Sequence, residues 1–229
     1  MKTIEKLVES AAKNIKIVLG VFVLALLAGA AYTGYLLNQQ SKESKAFGEL
    51  ASLEKSWGEW KSQSSGGAAP QAKESPKIDP ETLFKDLQAF SQKYSQLQAG
   101  QLAALMMSDV GTNIEKEEEL LSYYEKNVTP SGGQLLRALS ILKKGDLQAN
   151  KDQCEAAVKT WEPLLKQKKL AYLVDMAHLK SGLCFEKLNQ KDKALSHYEA
   201  VINMKSAKPD RWAHKEAQKF KRALQWSQN

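Results

Sequence analysis

The chain has 229 residues, of which 43% are hydrophobic and 26% charged. Its apolar and aromatic content excludes an intrinsically disordered chain, and its two cysteines exclude a disulfide-dense scaffold. The net charge of +7 is unevenly spread. Residues 81–130 hold four lysines against eight acidic residues, whereas residues 131–229 hold nineteen Lys or Arg against ten acidic residues. The basic character therefore belongs to the C-terminal half of the chain.

The first element is an uncharged stretch, IVLGVFVLALLAGAAYTGYLL, which runs from Ile17 to Leu37. As a helix it spans about 30 Å, the thickness of a bilayer's hydrocarbon core, so it predicts a transmembrane helix over 17–37. Four lysines precede it in residues 1–16, and only Lys42 and Lys45 follow closely. The positive-inside rule then predicts a cytoplasmic arm over 1–16 and a C-terminal domain outside the cytoplasm, which in a bacterium is the periplasm.

A cleaved signal peptide is the alternative interpretation of this segment. Ala28-Gly29-Ala30 has the small-residue A-x-A form of a cleavage site. The sixteen-residue arm before the apolar stretch and the apolar residues that continue to Leu37 favour an uncleaved anchor in the inner membrane.

A juxtamembrane helix is predicted over residues 38–61, and a Ser/Gly/Pro-rich loop over 62–80. The helix carries an apolar stripe with spacings of four and three residues: Ala46, Leu50, Leu53, Trp57 and Trp60. We expect the stripe to pack on a helix that begins at the Asp79-Pro80-Glu81 cap, so that 62–80 is a loop within one hairpin. The alternative is a coiled coil through residues 46–60 that joins two chains.

Beyond residue 80 the chain predicts helical repeats, because period-two alternation is absent and apolar residues recur at helical spacing. Four stretches each centre on an aromatic residue: Phe90, Tyr124, Trp161 and Tyr198. Their separations of 34, 37 and 37 residues are typical of helix–turn–helix repeats. The sequence thus predicts an all-α fold, with repeats over 81–206 and a capping helix over 208–227 that presents Ala213, Ala217, Phe220 and Leu224.

The clearest unit covers residues 176–202 and resembles a tetratricopeptide repeat. Gly182 stands where the two helices of such a hairpin pack most closely, Phe185 follows it, and Ala194 and Tyr198 lie four residues apart on the second helix. Several features depart from the pattern, among them the late closing proline, Pro209, and the extended connection GDLQANKD before Cys154. His178 replaces a large aromatic residue, and the unit around Tyr124 has Leu120 in place of a small alanine.

Two segments carry a family resemblance: FSQKYSQLQAGQLAALM (90–106) and LVDMAHLKSGLCFEKLNQKDKALSHYEAV (173–201). Together with the anchor, they resemble the ancillary subunit of the bacterial Sec translocon. The repeat domain of that family is related to a periplasmic coordinator of cell division. The resemblance implies membership of a translocon-associated complex, with chaperones or emerging periplasmic clients as protein partners. Two alternatives remain open: a periplasmic scaffold for envelope assembly or division, and a homo-oligomeric spacer.

No catalytic, cofactor or metal site is predicted, so we do not expect an enzyme. The three histidines, His178, His197 and His214, fall singly on predicted helices. The acidic run Glu115, Glu117, Glu118 and Glu119 diverges around a helix by about 100° per residue, which favours a solvated helix start over a metal site. The placement outside the cytoplasm argues against a nucleic-acid partner for the basic half. An acidic protein segment, an anionic lipid or a merely solvated lysine face are the remaining interpretations.

The two cysteines fall at equal height on adjacent predicted helices. If helices over about 151–167 and 170–188 meet at a turn near Lys168-Lys169, Cys154 and Cys184 are equidistant from that turn. Their Cα atoms could then approach the roughly 4.4 to 6.8 Å of a disulfide. Two buried thiols are the alternative.

Overall fold

The structure, a computed structural model, describes residues 15–64, 77–127, 133–167, 169–204 and 212–226. Helices dominate these ranges and no strand occurs within them, so the predicted all-α class is confirmed. The helices are α1 Ile15–Ser64, α2 Pro80–Lys93, α3 Gln98–Asn113, α4 Glu117–Asn127, α5 Gln134–Asn150, α6 Cys154–Leu165, α7 Ala171–Lys187, α8 Lys191–Ile202 and α9 Trp212–Trp226. Residues 1–14, most of the 62–80 loop, Lys168, Lys208 and Arg211 lie outside the described ranges.

Helix α1 is a single helix of 50 residues, where the sequence predicted separate elements over 17–37 and 38–61. No proline occurs between Ile15 and Ser64 to interrupt the backbone hydrogen bonds, so one helix continues through both segments. Every side chain described between Ile17 and Leu37 is exposed. Within the described residues, α1 alone is long and apolar enough to cross a membrane, judged by length and composition.

Contacts divide the chain into two units, residues 1–48 and residues 49–229. In the second unit, the end of α1 runs antiparallel to α2. The Ile78 backbone N–H donates to Gln63 Oε1 (3.2 Å) at one end, and Lys93 Nζ donates to Glu49 Oε2 (2.8 Å) at the other. Leu50 and Trp60 are buried within this single chain. The stripe therefore has intramolecular neighbours.

The start of α2 follows from its sequence. Asp79 precedes the first helical turn and its carboxylate accepts hydrogen bonds from the Thr82 backbone N–H (2.9 Å) and hydroxyl (2.5 Å). Pro80 occupies a first-turn position, where a missing N–H costs nothing because that group would have no intrahelical partner. The predicted cap is confirmed.

Three successive hairpins, α3/α4, α5/α6 and α7/α8, turn in the same way. Each turn has one residue with positive φ, and these residues are 37 positions apart: Glu115 (59°), Asp152 (56°) and Asn189 (57°). In each, the following N–H donates to a carbonyl five residues back: Lys116 to Gly111 (2.8 Å), Gln153 to Gln148 (2.9 Å) and Gln190 to Phe185 (2.8 Å). This is the hydrogen-bond pattern of a Schellman motif, which satisfies carbonyls at a helix end.

The aromatic residue in the second helix of each hairpin packs on a small residue in the first helix, 16 positions earlier. The pairs are Ser108 with Tyr124, Gly145 with Trp161 and Gly182 with Tyr198. The three aromatic rings are 1% exposed or less. A Cβ atom on Gly145 would lie 2.1 Å from Trp161 Nε1, and one on Gly182 would lie 2.3 Å from Tyr198 Cε1. Backbone and ring are therefore in direct contact in these two hairpins.

Leu120, which departs from the repeat pattern, is accommodated by a glycine on the facing helix. A Cβ atom on Gly111 would lie 2.9 Å from Leu120 Cδ1. At the positions 37 residues later the sizes are reversed, with Gln148 on the first helix and buried Ala157 on the second. The larger side chain is therefore on the second helix in the α3/α4 hairpin and on the first helix in the α5/α6 hairpin.

Each hairpin packs on the next. The first helices α3, α5 and α7 contact one another in order, α4 and α6 contact the first helix of the following hairpin, and α9 covers both α7 and α8. Ala213, Ala217 and Leu224 of α9 are buried in a cluster with Tyr198 and Ala194, and Phe185 and Phe220 pack against that cluster. The helix predicted over 208–227 is thus described from Trp212 to Trp226.

Candidate functional site

The first helices of the hairpins present a ladder of ion pairs. Lys143 Nζ lies 2.8 Å from Asp109 Oδ1, which joins α5 to α3, and Lys180 Nζ lies 3.0 Å from Asp146 Oδ1, which joins α7 to α5. Both lysines and both aspartates are 37 residues apart. The ladder therefore repeats with the hairpins and holds their first helices side by side.

A cavity of about 380 Å³ opens along this ladder. Charged, polar and aliphatic residues of α3, α5 and α7 form the rim of the cavity. The Trp161 ring and Cys184 also line the cavity. We call this cavity the groove; the rim residues are Thr112, Lys143, Asp146, Asn150, Lys180, Leu183 and Lys187. Its volume is in the range of ligand-binding clefts and accommodates a few side chains of a partner.

The groove carries more ammonium groups than carboxylates, because Lys143, Lys180 and Lys187 line it with Asp146. Burial raises the pKa of Asp146, and the nearby Lys180 and Lys143 oppose that rise. Lys187 pairs at 3.0 Å with Asp152, whose side chain is 84% exposed. Such an exposed pair contributes little to stability, so an incoming carboxylate can replace Asp152 at low cost.

Leu183 gives the groove an apolar contact between these charges. It is 37% exposed although it is a large aliphatic residue on the first helix of the third hairpin. Asp146 occupies the equivalent position 37 residues earlier. The groove therefore offers an aliphatic side chain and ammonium groups on one surface.

Cys154 and Cys184 form a disulfide in the structure, with Cα atoms 5.1 Å apart. Of the two alternatives left open by the sequence, the structure has the disulfide. The bond joins the start of α6 to α7, and both cysteines are buried in a cluster with Trp161, Leu142 and Leu173. It therefore links the second hairpin to the third beneath the groove.

The predicted packing residues Phe90, Tyr124, Trp161, Gly182, Ala194 and Tyr198 are all buried, and Phe185 is half-buried. The acidic run does not converge: Glu118 pairs with Lys151, and Glu119 pairs with Lys116. Within the part of the chain that the structure describes, no group of three or more His, Cys, Asp or Glu residues is arranged to hold a metal ion.

Each histidine lies on its own helix, as the sequence predicts, but two of them meet across the third hairpin, a contact that the sequence analysis did not predict. Nδ1 of His178, on α7, lies 3.1 Å from Nδ1 of His197, on α8. Only His214 is apart from the other two, with its Nε2 atom 2.9 Å from the Gln218 amide nitrogen. The sequence does contain a signal for this contact, because His178 and His197 are nearly equidistant from the turn between α7 and α8.

Comparison of the chain with protein-family models, with curated proteins and with solved structures finds no match.

Proposed function

We propose that the chain is a membrane-anchored, tetratricopeptide-like repeat protein that binds other proteins through the groove. The observation that carries this proposal is the 37-residue repetition of three separate features: the positive-φ turn, the small-residue contact with a buried aromatic ring, and the Asp–Lys ladder. Stacked repeats form extended concave surfaces that such proteins use to bind partners.

The partner that best fits the groove is an extended protein segment with acidic and aliphatic side chains. Its carboxylates would meet Lys187 and Lys143, and an aliphatic side chain would pack on Leu183. Ion pairs of this kind set specificity and association rate, while the apolar contact adds affinity. By the resemblance noted above, we propose that such segments belong to translocon subunits, periplasmic chaperones or their clients.

The uncharged part of α1 is proposed to anchor the protein in a bacterial inner membrane as a single span. The lysines of residues 1–16 support a cytoplasmic N terminus. The disulfide supports an oxidising compartment such as the periplasm for the repeats. Because Leu50 and Trp60 already have neighbours in their own chain, the homo-oligomeric spacer is the less favoured alternative.

The anchor and its orientation can be tested directly. We expect the full chain to remain with membranes in alkaline carbonate, and deletion of residues 17–37 to release it, because an uncharged helix of this length is held by the hydrocarbon core. A periplasm-active reporter fused after Asn229 should be active and a cytoplasm-active reporter silent. The reverse pair of results would contradict the proposed orientation.

Binding through the groove is testable with a photo-crosslinking amino acid at position 183 of the full chain in intact cells. We expect adducts with envelope proteins whose yield falls roughly five- to tenfold in Lys187→Glu, because the reversed charge repels an acidic segment. Lys159→Glu is the matched control, since Lys159 is an exposed lysine on α6 outside the groove. Equal losses in both variants would contradict a role for the groove, and adducts only between copies of the chain would favour the spacer.

A further inference from the structure

The imidazoles of His178 and His197 face each other across the third hairpin. Their Nδ1 atoms share a hydrogen bond at 3.1 Å, and their ring centroids are 5.1 Å apart. Both side chains are half-buried, which leaves the pair accessible to solvent species. The His pair is not among the residues that line the groove.

The surroundings of the pair favour neutral imidazoles. The Phe185 ring packs 5.2 Å from that of His197. Burial lowers the pKa of both histidines, and for His178 burial together with the charge of His197 lowers the pKa to about 4. Neutral imidazole is the form that binds transition metals. The Nδ1–Nδ1 contact is a hydrogen bond in which one Nδ1 atom carries the proton, so that proton moves to Nε2 of the same ring when both Nδ1 atoms bind a metal.

We propose that His178 and His197 bind one divalent transition-metal ion, of the Cu²⁺ or Zn²⁺ class, through their Nδ1 atoms. Two imidazole nitrogens at about 2.0 to 2.1 Å from a tetrahedral ion are roughly 3.3 Å apart. The observed 3.1 Å needs only a small opening of the pair. The remaining coordination positions are left to water, as a site with two protein ligands requires.

The choice of metal follows from ligand chemistry. Imidazole suits copper, zinc and nickel, and among divalent ions Cu²⁺ binds nitrogen ligands most tightly. Hard cations such as Mg²⁺ and Ca²⁺ prefer oxygen ligands and are not expected here. A bound ion would cross-link α7 to α8 and so stabilise the third hairpin against unfolding.

The test uses the full chain in detergent, without a purification tag, with the disulfide intact and without reducing agents, titrated with CuCl₂. We expect one equivalent of Cu²⁺ with an electron paramagnetic resonance spectrum of two nitrogen ligands, and a higher melting temperature. His178→Gln and His197→Gln should each weaken binding at least tenfold. His214→Gln is the matched control and should bind as the unmodified chain does, because His214 lies apart from the pair.

Two results would overturn the proposal: a spectrum of the unmodified chain without coordination by two nitrogens, or equal affinity in His178→Gln and the unmodified chain. The spectrum of the unmodified chain does not depend on the folding of any variant. Far-UV circular dichroism of each metal-free variant separates a lost ligand from a lost fold. ZnCl₂ should compete with Cu²⁺ for the same site, whereas MgCl₂ at equal concentration should not.

Discussion

Replacement of Cys154 and Cys184 together by alanine is expected to lower the free energy of unfolding by about 3 to 4 kcal/mol. The disulfide closes a loop with a sequence separation of 30 residues, and without it the unfolded chain recovers the entropy that this closure removes. Alanine is chosen because both sites are buried, where a serine hydroxyl would have to be desolvated. Denaturant unfolding of the full chain in detergent, followed by far-UV circular dichroism, measures the loss.

Two comparisons separate the bond from the side chains. Reduction of the unmodified chain should cause most of the loss seen in the double variant, and Cys154→Ala alone should match the double variant closely, since either change breaks the same bond. If oxidised and reduced chains unfolded at the same denaturant concentration, the disulfide would contribute nothing to stability. Free thiols detected in the chain before reduction would show that the bond had not formed.

The disulfide also has a local consequence for the groove. Cys184 lines the groove beside Trp161, and the bond holds α7 against the start of α6. Amide hydrogen exchange in α6 and α7 is therefore expected to accelerate more than exchange in α2 when the bond is removed. Equal acceleration of amide exchange in all helices would mean that the bond stabilises the whole domain and has no local effect on α6 and α7.

Much of the fold could be predicted because its signals are local. The apolar stretch from Ile17, the Asp79 cap and the helical spacing around Trp161 and Tyr198 each depend on residues within a few turns of one another. The cysteine pairing needed only one further step, the assumption that two adjacent helices are antiparallel. Patterns of this kind survive in a single sequence because local backbone geometry fixes their spacing.

The features that were missed depend on contacts between helices. Ser108, Gly145 and Gly182 each pack against the aromatic residue 16 positions later. The position is a serine in one hairpin and a glycine in the other two, so no single residue type marks it in the sequence. Glu115 and Asp152 adopt positive φ although neither is glycine, because the hairpin fixes the turn. In the sequence, the residues of the Asp109–Lys143 and Asp146–Lys180 pairs are typical of a solvated helix face. Their pairing depends on contact between neighbouring helices, which the sequence does not show.

The continuous α1 and the histidine pair were missed for other reasons. The composition changes from apolar to polar after Leu37, but no residue there ends the helix. Such a change indicates different surroundings for the side chains and does not predict a helix boundary. The histidines are 19 residues apart, so they do not have the i, i+4 spacing that marks two metal ligands on one helix. Only the geometry of the α7/α8 hairpin brings them together.

The close contacts between backbone and aromatic rings predict a large effect from a small change. Gly145→Ala and Gly182→Ala are each expected to lower the free energy of unfolding by about 2 kcal/mol. In a helix interior, replacement of glycine by alanine normally raises the free energy of unfolding by up to about 1 kcal/mol. Here the added Cβ would lie 2.1 Å from Trp161 or 2.3 Å from Tyr198, far inside van der Waals contact.

Neither ring can withdraw cheaply. Trp161 Nε1 donates a hydrogen bond to the Leu142 carbonyl at 3.1 Å, so a shift of the indole would leave a buried donor unsatisfied. The Tyr198 hydroxyl donates to Glu186, and its ring stacks on Phe220 at 5.8 Å. The strain must therefore be taken up by separation of the two helices of the hairpin, which weakens the core on both sides.

Gly58→Ala is the matched control, because Gly58 is also inside a helix but its added Cβ would meet no atom within 4 Å beyond its chain neighbours and the adjacent backbone of its own helix. That variant should be neutral or more stable by up to about 1 kcal/mol. The free energy of unfolding is measured for each variant by denaturant unfolding of the full chain. A decrease in Gly145→Ala and Gly182→Ala but not in Gly58→Ala would separate the effect of the ring contact from that of helix propensity. If Gly145→Ala and Gly182→Ala stabilised the chain as Gly58→Ala does, the rings would not pack on the backbone, and the repeated aromatic contact that supports the proposed function would be lost.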